Sequence, residues 1–182
     1  DNNITEYSNG TFGSIYGKVL VDSYDNAQFP SSGWKVDGDF HLYLFNSEFG
    51  ERFREFSIAQ LEVGHAHSLG NLTLSGNAHV GITIGDADNS ALDFTVGGYG
   101  SRRINNLISF YGYDFISISG DTMIKFLLEA DYEIFKKNHL ILSANIANAQ
   151  DDLFDRNDWF SNARYTGYAI GYGIETFLGP IE

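Results

Sequence analysis

Between Asn71 and Ile84 apolar and polar residues alternate without a break. Leu72, Leu74, Gly76, Ala78, Val80, Ile82 and Ile84 share one face, and Asn71, Thr73, Ser75, Asn77, His79, Gly81 and Thr83 the other. A period of two is the mark of a β-strand whose faces meet different surroundings. A soluble strand runs about 5–6 residues and a tilted strand needs about 9–11 to cross a bilayer, so this run has a membrane-like length. The pattern recurs in Trp34 to Leu44, where Trp34, Val36, Gly38, Phe40, Leu42 and Leu44 oppose Lys35, Asp37, Asp39 and His41. It recurs again in Ile124 to Ile134, where Ile124, Phe126, Leu128, Ala130, Tyr132 and Ile134 oppose Lys125, Glu129, Asp131 and Glu133. Such strands predict an all-β fold, an antiparallel transmembrane β-barrel with lipid outside and a polar lumen inside.

Extended along the chain, the pattern gives eight strands, at about 11–22, 33–45, 55–67, 70–84, 91–99, 121–135, 138–149 and 165–178. Tight turns are expected at Lys136-Lys137-Asn138 and Gly179-Pro180, where Asn, Gly and Pro supply turn geometry. Long connections are expected at Ser23 to Ser32, Gly100 to Gly120 and Gln150 to Arg164. Tight turns at one end and long loops at the other is how outer-membrane barrels are built, although His65 to Asn71 is also short. With 2 Pro residues and no Pro-rich or Ser-rich linker, residues 1–182 read as one domain.

Composition then removes alternatives. The chain is 43% hydrophobic with a mean hydropathy of −0.20, which looks soluble on average. In a barrel wall every second residue is polar, so the average is uninformative, and no apolar run is long enough for a membrane helix. Aromatic residues make up 15%, as expected if Tyr and Trp ring the membrane boundary. The absence of Cys excludes disulfides and thiolate metal sites, and a net charge of −13 excludes a nucleic-acid groove. No signal peptide is visible at Asp1-Asn2-Asn3, which implies processing or truncation for an exported protein.

Three ordered segments carry a family resemblance: Val21 to Trp34, with an Asp-rich stretch before Phe29-Pro30-Ser31-Ser32-Gly33; Gly97-Gly98-Tyr99 followed by Phe110-Tyr111-Gly112-Tyr113; and Gly179-Pro180-Ile181. Together they resemble the C-terminal half of the barrel in the BamA/TamA superfamily of outer-membrane assembly and transport proteins. There the second segment is the tip of a long loop folded into the lumen, and the third is a turn before the penultimate strand. The resemblance makes Tyr111, Gly112, Tyr113 and Asn145 the expected contact between loop and wall. In the family the loop tip carries Arg and the wall Asp; here Tyr111 and Asn145 stand in those places, so both partners are neutral. A carboxylate left alone in a partly dehydrated lumen would be costly, which explains the joint change. The neutral tip and the run Leu128 to Phe135 are most similar to patatin-like (PlpD-like) outer-membrane phospholipases of Bacteroidetes. That implies a parent barrel of about sixteen strands, of which this chain holds roughly the seventh to fourteenth, so the domain is expected to be incomplete at both ends. It further implies a bacterial outer-membrane location and a patatin-type lipid acyl hydrolase domain outside this chain. The expected partners are outer-membrane lipid, with lipopolysaccharide, a fused hydrolase with transport-associated domains, or a homodimer as further options.

Within the chain no catalytic, cofactor or metal residues are assigned. The Ser elbow of patatin enzymes is missing, and Asp37-Gly38 lies inside a strand pattern. His65 and His67 share a face but lack a third ligand, so boundary histidines are the preferred reading. Asp151, Asp152, Asp155 and Asp158 lack the spacing of a calcium loop and read as a solvated loop. Arg102 and Arg103 read as loop-positioning residues that alternatively suit lipopolysaccharide phosphates. The inward charges from Lys35 to Glu133 read as a salt-bridge network in a plugged lumen rather than a pore lining. Rival classes are an assembly or translocation barrel and a soluble β-sandwich or lipocalin-like module. Substrate, client, oligomeric state and conductance are beyond the sequence.

The alternation predicts that Leu72, Leu74, Val80, Ile82, Phe40, Leu42, Phe126 and Leu128 face lipid and Lys35, Asp39, Asn77, His79, Lys125 and Glu129 the lumen. Spin labels at Val80 and His79 test this: a lipid-soluble relaxing agent should reach the first and not the second. An Arg at Val80 should cost about 2–4 kcal/mol of folding stability if it sits near the bilayer midplane.

Overall fold

The computed structural model describes residues 11–46, 54–85, 93–99, 106–151 and 164–181. Its strands are β1 (Phe12–Asp22), β2 (Ser32–Asn46), β3 (Phe56–Leu69), β4 (Leu72–Ile84), β5 (Phe94–Val96), β6 (Leu107–Ile108), β7 (Ile118–Gly120), β8 (Thr122–Phe135), β9 (Asn138–Gln150), β10 (Tyr165–Thr176) and β11 (Gly179–Ile181). One antiparallel sheet of eight strands runs in the order β1-β2-β3-β4-β8-β9-β10-β11, and a three-stranded sheet runs β6-β5-β7. Among the described residues β1 and β11 are the edges of the large sheet and do not pair with each other.

The register keeps the two faces separate from strand to strand. Val63, Ala78, Phe126 and Ile146 follow one another across β3, β4, β8 and β9 on the outer face. Glu62, His79, Lys125 and Ala147 form the neighbouring inner row. Slipping any pair by one residue would put the inner row into lipid, so the alternation itself holds the register. The outer face is strongly apolar: Phe40, Leu74, Phe126 and Leu128 are all exposed, Leu128 by 66%.

Two strand assignments from the sequence are corrected. The run at 91–99 is not a wall strand, because β4 pairs directly with β8. With turns at Gly70-Asn71 and Lys136-Lys137 at one end, β4 leaves that end and β8 returns to it, so no strand fits between them in an antiparallel wall. Gly97 and Gly98, at φ +145° and +79°, bend the chain immediately after Val96, which confines β5 to three residues. The eighth strand of the wall is instead β11: the turn is Phe177-Leu178, and Gly179 and Pro180 already pair with Thr176 and Glu175.

The Ser23 to Ser32 connection is likewise corrected. It lies at the same end as the tight turns, since β2 and β4 leave that end and β1 and β3 arrive at it. It folds inward across the sheet. Phe29 is buried, stacks on the His139 ring with centroids 4.3 Å apart, and occupies the space where Gly173 has no side chain. Asp25 closes this loop by accepting the backbone N–H groups of Ser31 and Ser32 at 2.7 and 3.1 Å and the Ser31 hydroxyl.

The buried core lies inside the wall, at the end opposite the tight turns. Phe94, Val96, Ile108, Phe110 and Ile118 of the β4–β8 connection pack with Phe56 and Ile58 of β3, Met123 of β8, and Ala147 and Ala149 of β9. Those wall residues point inward at positions that the simple lipid-and-lumen pattern reserves for polar side chains. Burial against the connection replaces water there.

Hydrogen bonding from the Ser31 hydroxyl, ahead of the backbone N–H groups, holds the Asp25 carboxyl down at about 2. A folded-state value below the unfolded one means that the loop is fully stabilised above the ordinary carboxylate range and loses that contribution as pH falls towards about 2. Ser31→Ala should move the Asp25 titration up towards the ordinary range, read by carbon-detected NMR of the protein in micelles. An unshifted titration would show that the hydroxyl does not hold the carboxylate.

Candidate functional site

The connection between β4 and β8 returns into the wall as a small folded unit. Thr95 N–H donates to the Asn106 carbonyl at 2.9 Å and Gly97 N–H to Ile108 at 3.0 Å, which places β6 alongside β5. Gly98 N–H donates to Tyr113 O and Phe110 N–H to Gly98 O, each at 3.0 Å. The Gly97-Gly98 segment and the Phe110 to Tyr113 tip, twelve positions apart in sequence from Gly98 to Phe110, are thus bonded together. Gly97 must be glycine on two counts: its φ is positive, and a Cβ would collide with the Asp114 carbonyl.

The tip meets the wall at Asn145 on β9, which is 1% exposed. The carboxamide works as a clamp on backbone. Its Oδ1 accepts Tyr111 N–H at 2.8 Å, while Nδ2 donates to Tyr111 O at 3.4 Å and to Gly167 O of β10 at 3.2 Å. An amide supplies both acceptor and donors, whereas a carboxylate supplies acceptors alone and would face two carbonyls without a proton between them. Asn is therefore the side chain that this geometry requires. Gly167 makes the approach possible, since a Cβ there would strike the Tyr111 carbonyl, and Gly112, at φ +86°, turns the chain directly above it.

A second clamp was not anticipated from the sequence as a loop contact. Lys125 of β8, buried on the inner face, donates from Nζ to the Ser109 carbonyl at 2.5 Å, one residue before the tip. The charge that the resemblance would put on the loop tip is here on the wall, directed at loop backbone. Aromatic contacts complete the seat: Phe110 lies 5.4 Å from Tyr113, and Tyr113 meets Tyr165 of β10 edge-on at 5.8 Å. The readable sign would have been inward-facing glycines, since Gly64, Gly81, Gly167 and Gly173 each receive a loop group: Tyr24, Phe94, the Tyr111 carbonyl and Phe29.

Towards the tight-turn end the inner face is polar and ion-paired. Lys18 reaches Asp37 at 3.3 Å, Lys35 reaches Glu62 at 3.8 Å, and Gln60 donates to Asp39 at 2.9 Å. Ser143 donates to Glu129 at 2.9 Å, and His139 sits 2.9 Å from Asp131. A cavity of about 220 Å³ remains among these groups, bounded by Tyr24, Phe29 and Tyr111 from the two inward loops. His65 and His67 lie on the outer face, opposite Trp34 and Ser32; His65 stacks on Trp34 at 4.1 Å and bonds the Gly33 carbonyl at 2.8 Å. Among the described residues no cluster of three or more His, Cys, Asp or Glu is arranged to hold a metal ion. Arg102, Arg103 and the acidic stretch after Asp151 lie outside the described residues.

Replacing Asn145 by Asp should leave the Tyr111 and Gly167 carbonyls without donors, which costs about 1–3 kcal/mol and loosens the tip. Gly167→Val should displace it by direct collision. Limited proteolysis within 106–120 is expected to accelerate in both variants while heat-modifiable migration of the folded barrel is retained; unchanged proteolysis in both would exclude the clamp.

No curated protein matches the chain significantly. A family model described as the OMP85 superfamily matches residues 1–182, and members of that superfamily are outer-membrane proteins. With the family model covering the whole sequence, the chain belongs to the OMP85 superfamily.

Proposed function

We propose that this chain is wall of an outer-membrane barrel that anchors, and takes part in exporting, a patatin-type lipid acyl hydrolase domain lying outside the chain. The barrel role follows from the superfamily; the hydrolase is the finer reading. The observation that supports it is the way the loop tip is held. The tip is held by its backbone, through Asn145 and Lys125, instead of by the charged pair that the resemblance associates with assembly and secretion barrels. Two loops fold onto the inner face of the wall, one at each end, with Phe29 against Gly173 and the Tyr111 tip on Asn145, which suits an anchor better than an open conduit. Partners on this reading are outer-membrane lipid and the hydrolase, carried on the same polypeptide or in a homodimer.

The second reading, a barrel for outer-membrane protein assembly or translocation, is equally compatible with superfamily membership. The two separate in a single experiment on cells depleted of the intact protein. Loss of phospholipid hydrolysis from outer-membrane fractions, with other barrel proteins still inserted, is the expected result. Accumulation of unfolded barrel proteins with lipid hydrolysis unchanged would select the assembly reading.

A further inference from the structure

The outer face of the wall is not uniformly packed. Between β4 and β10 the side chains form rows: Leu72, Tyr132, Leu140 and Tyr172 nearest the tight turns, then Leu74, Ala130, Leu142 and Ile170, then Gly76, Leu128, Ala144 and Tyr168. Ala130 and Ala144 lie diagonally between protruding Leu74, Leu128, Leu142 and Tyr168, and the result is a recess of about 510 Å³ with an almost wholly apolar lining. A flat lipid-facing wall needs no such recess. Its walls stand well out, Tyr168 being 77% exposed.

Directly below, on the same two strands, the β8–β9 turn carries Lys136 and Lys137. The chain has 11 basic against 24 acidic residues, and Lys136-Lys137 is one of two adjacent basic pairs, the other being Arg102-Arg103. Both side chains are exposed, and among the described residues neither ammonium has an ion-pair partner. Six positions separate Ala130 from Lys136. At about 3.3 Å per residue that is about 20 Å along the strand, or about 15 Å along the membrane normal for a tilt of about 40°. Half of a hydrocarbon core of about 30 Å is the same distance, so the recess lies near the midplane when the lysines lie at the headgroups. Tyr132 and Tyr172 lie on the outer face between the recess and the lysines, and the Tyr172 hydroxyl donates to Asn138 at 2.7 Å.

We infer that this face is a binding site for one glycerophospholipid of the leaflet on the tight-turn side, the end of an acyl chain in the Ala130–Ala144 recess and the phosphate at Lys136 and Lys137. Tight turns of bacterial outer-membrane barrels face the periplasm, so this is the phospholipid leaflet. The two ammonium groups pull towards a phosphate, Glu133 in the same turn being engaged by the Lys137 backbone N–H at 2.8 Å, and this charge at headgroup depth favours a lipid over a second copy of the barrel. The site rests on the barrel's superfamily and not on the hydrolase reading.

The test is native mass spectrometry of the intact outer-membrane protein carrying this chain, released from vesicles of dimyristoylphosphatidylethanolamine and dimyristoylphosphatidylglycerol. The unaltered protein should retain one phospholipid through delipidation. Ala144→Leu, which fills the recess with a side chain suited to lipid, should lower retention, and Lys136→Gln with Lys137→Gln should lower it about tenfold. Phe40→Ala, on the outer face of β2, should leave it unchanged, and heat-modifiable migration should show every variant folded. Equal retention by all variants, or an equal loss with Phe40→Ala, would overturn the site. Loss with Ala144→Leu alone would reduce it to unspecific hydrocarbon contact, and a dimer mass abolished by Ala144→Leu would assign the recess to a second copy; either result overturns the phospholipid assignment.

Discussion

Irregular backbone drawn inside a membrane-embedded wall has N–H and C=O groups that water can no longer satisfy, and each must find a partner in the protein. Most of what is distinctive here answers that requirement. Asn145 takes both polar groups of Tyr111 and the Gly167 carbonyl, and Lys125 takes the carbonyl of Ser109. The Gly97-Gly98 segment takes Tyr113 and Phe110. At the opposite end Asp25 and Asn26 do the same for the inward loop, Asn26 Oδ1 accepting Gln28 and Phe29 N–H at 2.9 and 3.2 Å. Glycines on the inner face give these segments room to come close enough.

This arrangement changes what holds the loop. A salt bridge between loop Arg and wall Asp joins two side chains, and it depends on the identity of both. A carboxamide on backbone recognises the path of the chain whatever side chain Tyr111 carries, and the aromatic rings around it then settle by packing, as Tyr99 does 6.2 Å from Tyr111. The wall is thereby specialised for keeping the tip seated. The proposal that the barrel serves as an anchor rests on this contact.

The two ends of the interior also differ in kind. Near the long loops it is a dry hydrophobic core shared by loop and wall, while near the tight turns it is an ion-paired, partly hollow interior. Burying Phe94 and Val96 completely against Met123 supplies the apolar contact that an ordinary soluble domain obtains between its layers. The charged half gains order from cross-strand partners such as Lys35 and Glu62, whose register the outer apolar rows already dictate.

The sequence by itself determined the wall. Alternation over runs such as 71–84 depends only on which face meets lipid, a property each residue reports locally, so strand direction, facing and most boundaries were legible in it. The loop tip and Asn145 were legible as a pair through the family resemblance, and the structure brings them within hydrogen-bond distance. Tertiary structure decided the rest. Phe94-Thr95-Val96 reads locally as strand, and it is one, but the antiparallel pairing of β4 with β8 leaves it no place in the wall. Lys125 reads as one more inward charge until the loop brings the Ser109 carbonyl to it. Phe29 reads as part of a turn until it reaches His139 across the sheet. In each case the deciding contact joins residues far apart in sequence, and their meeting depends on the path of the chain through the lumen, which no local pattern encodes.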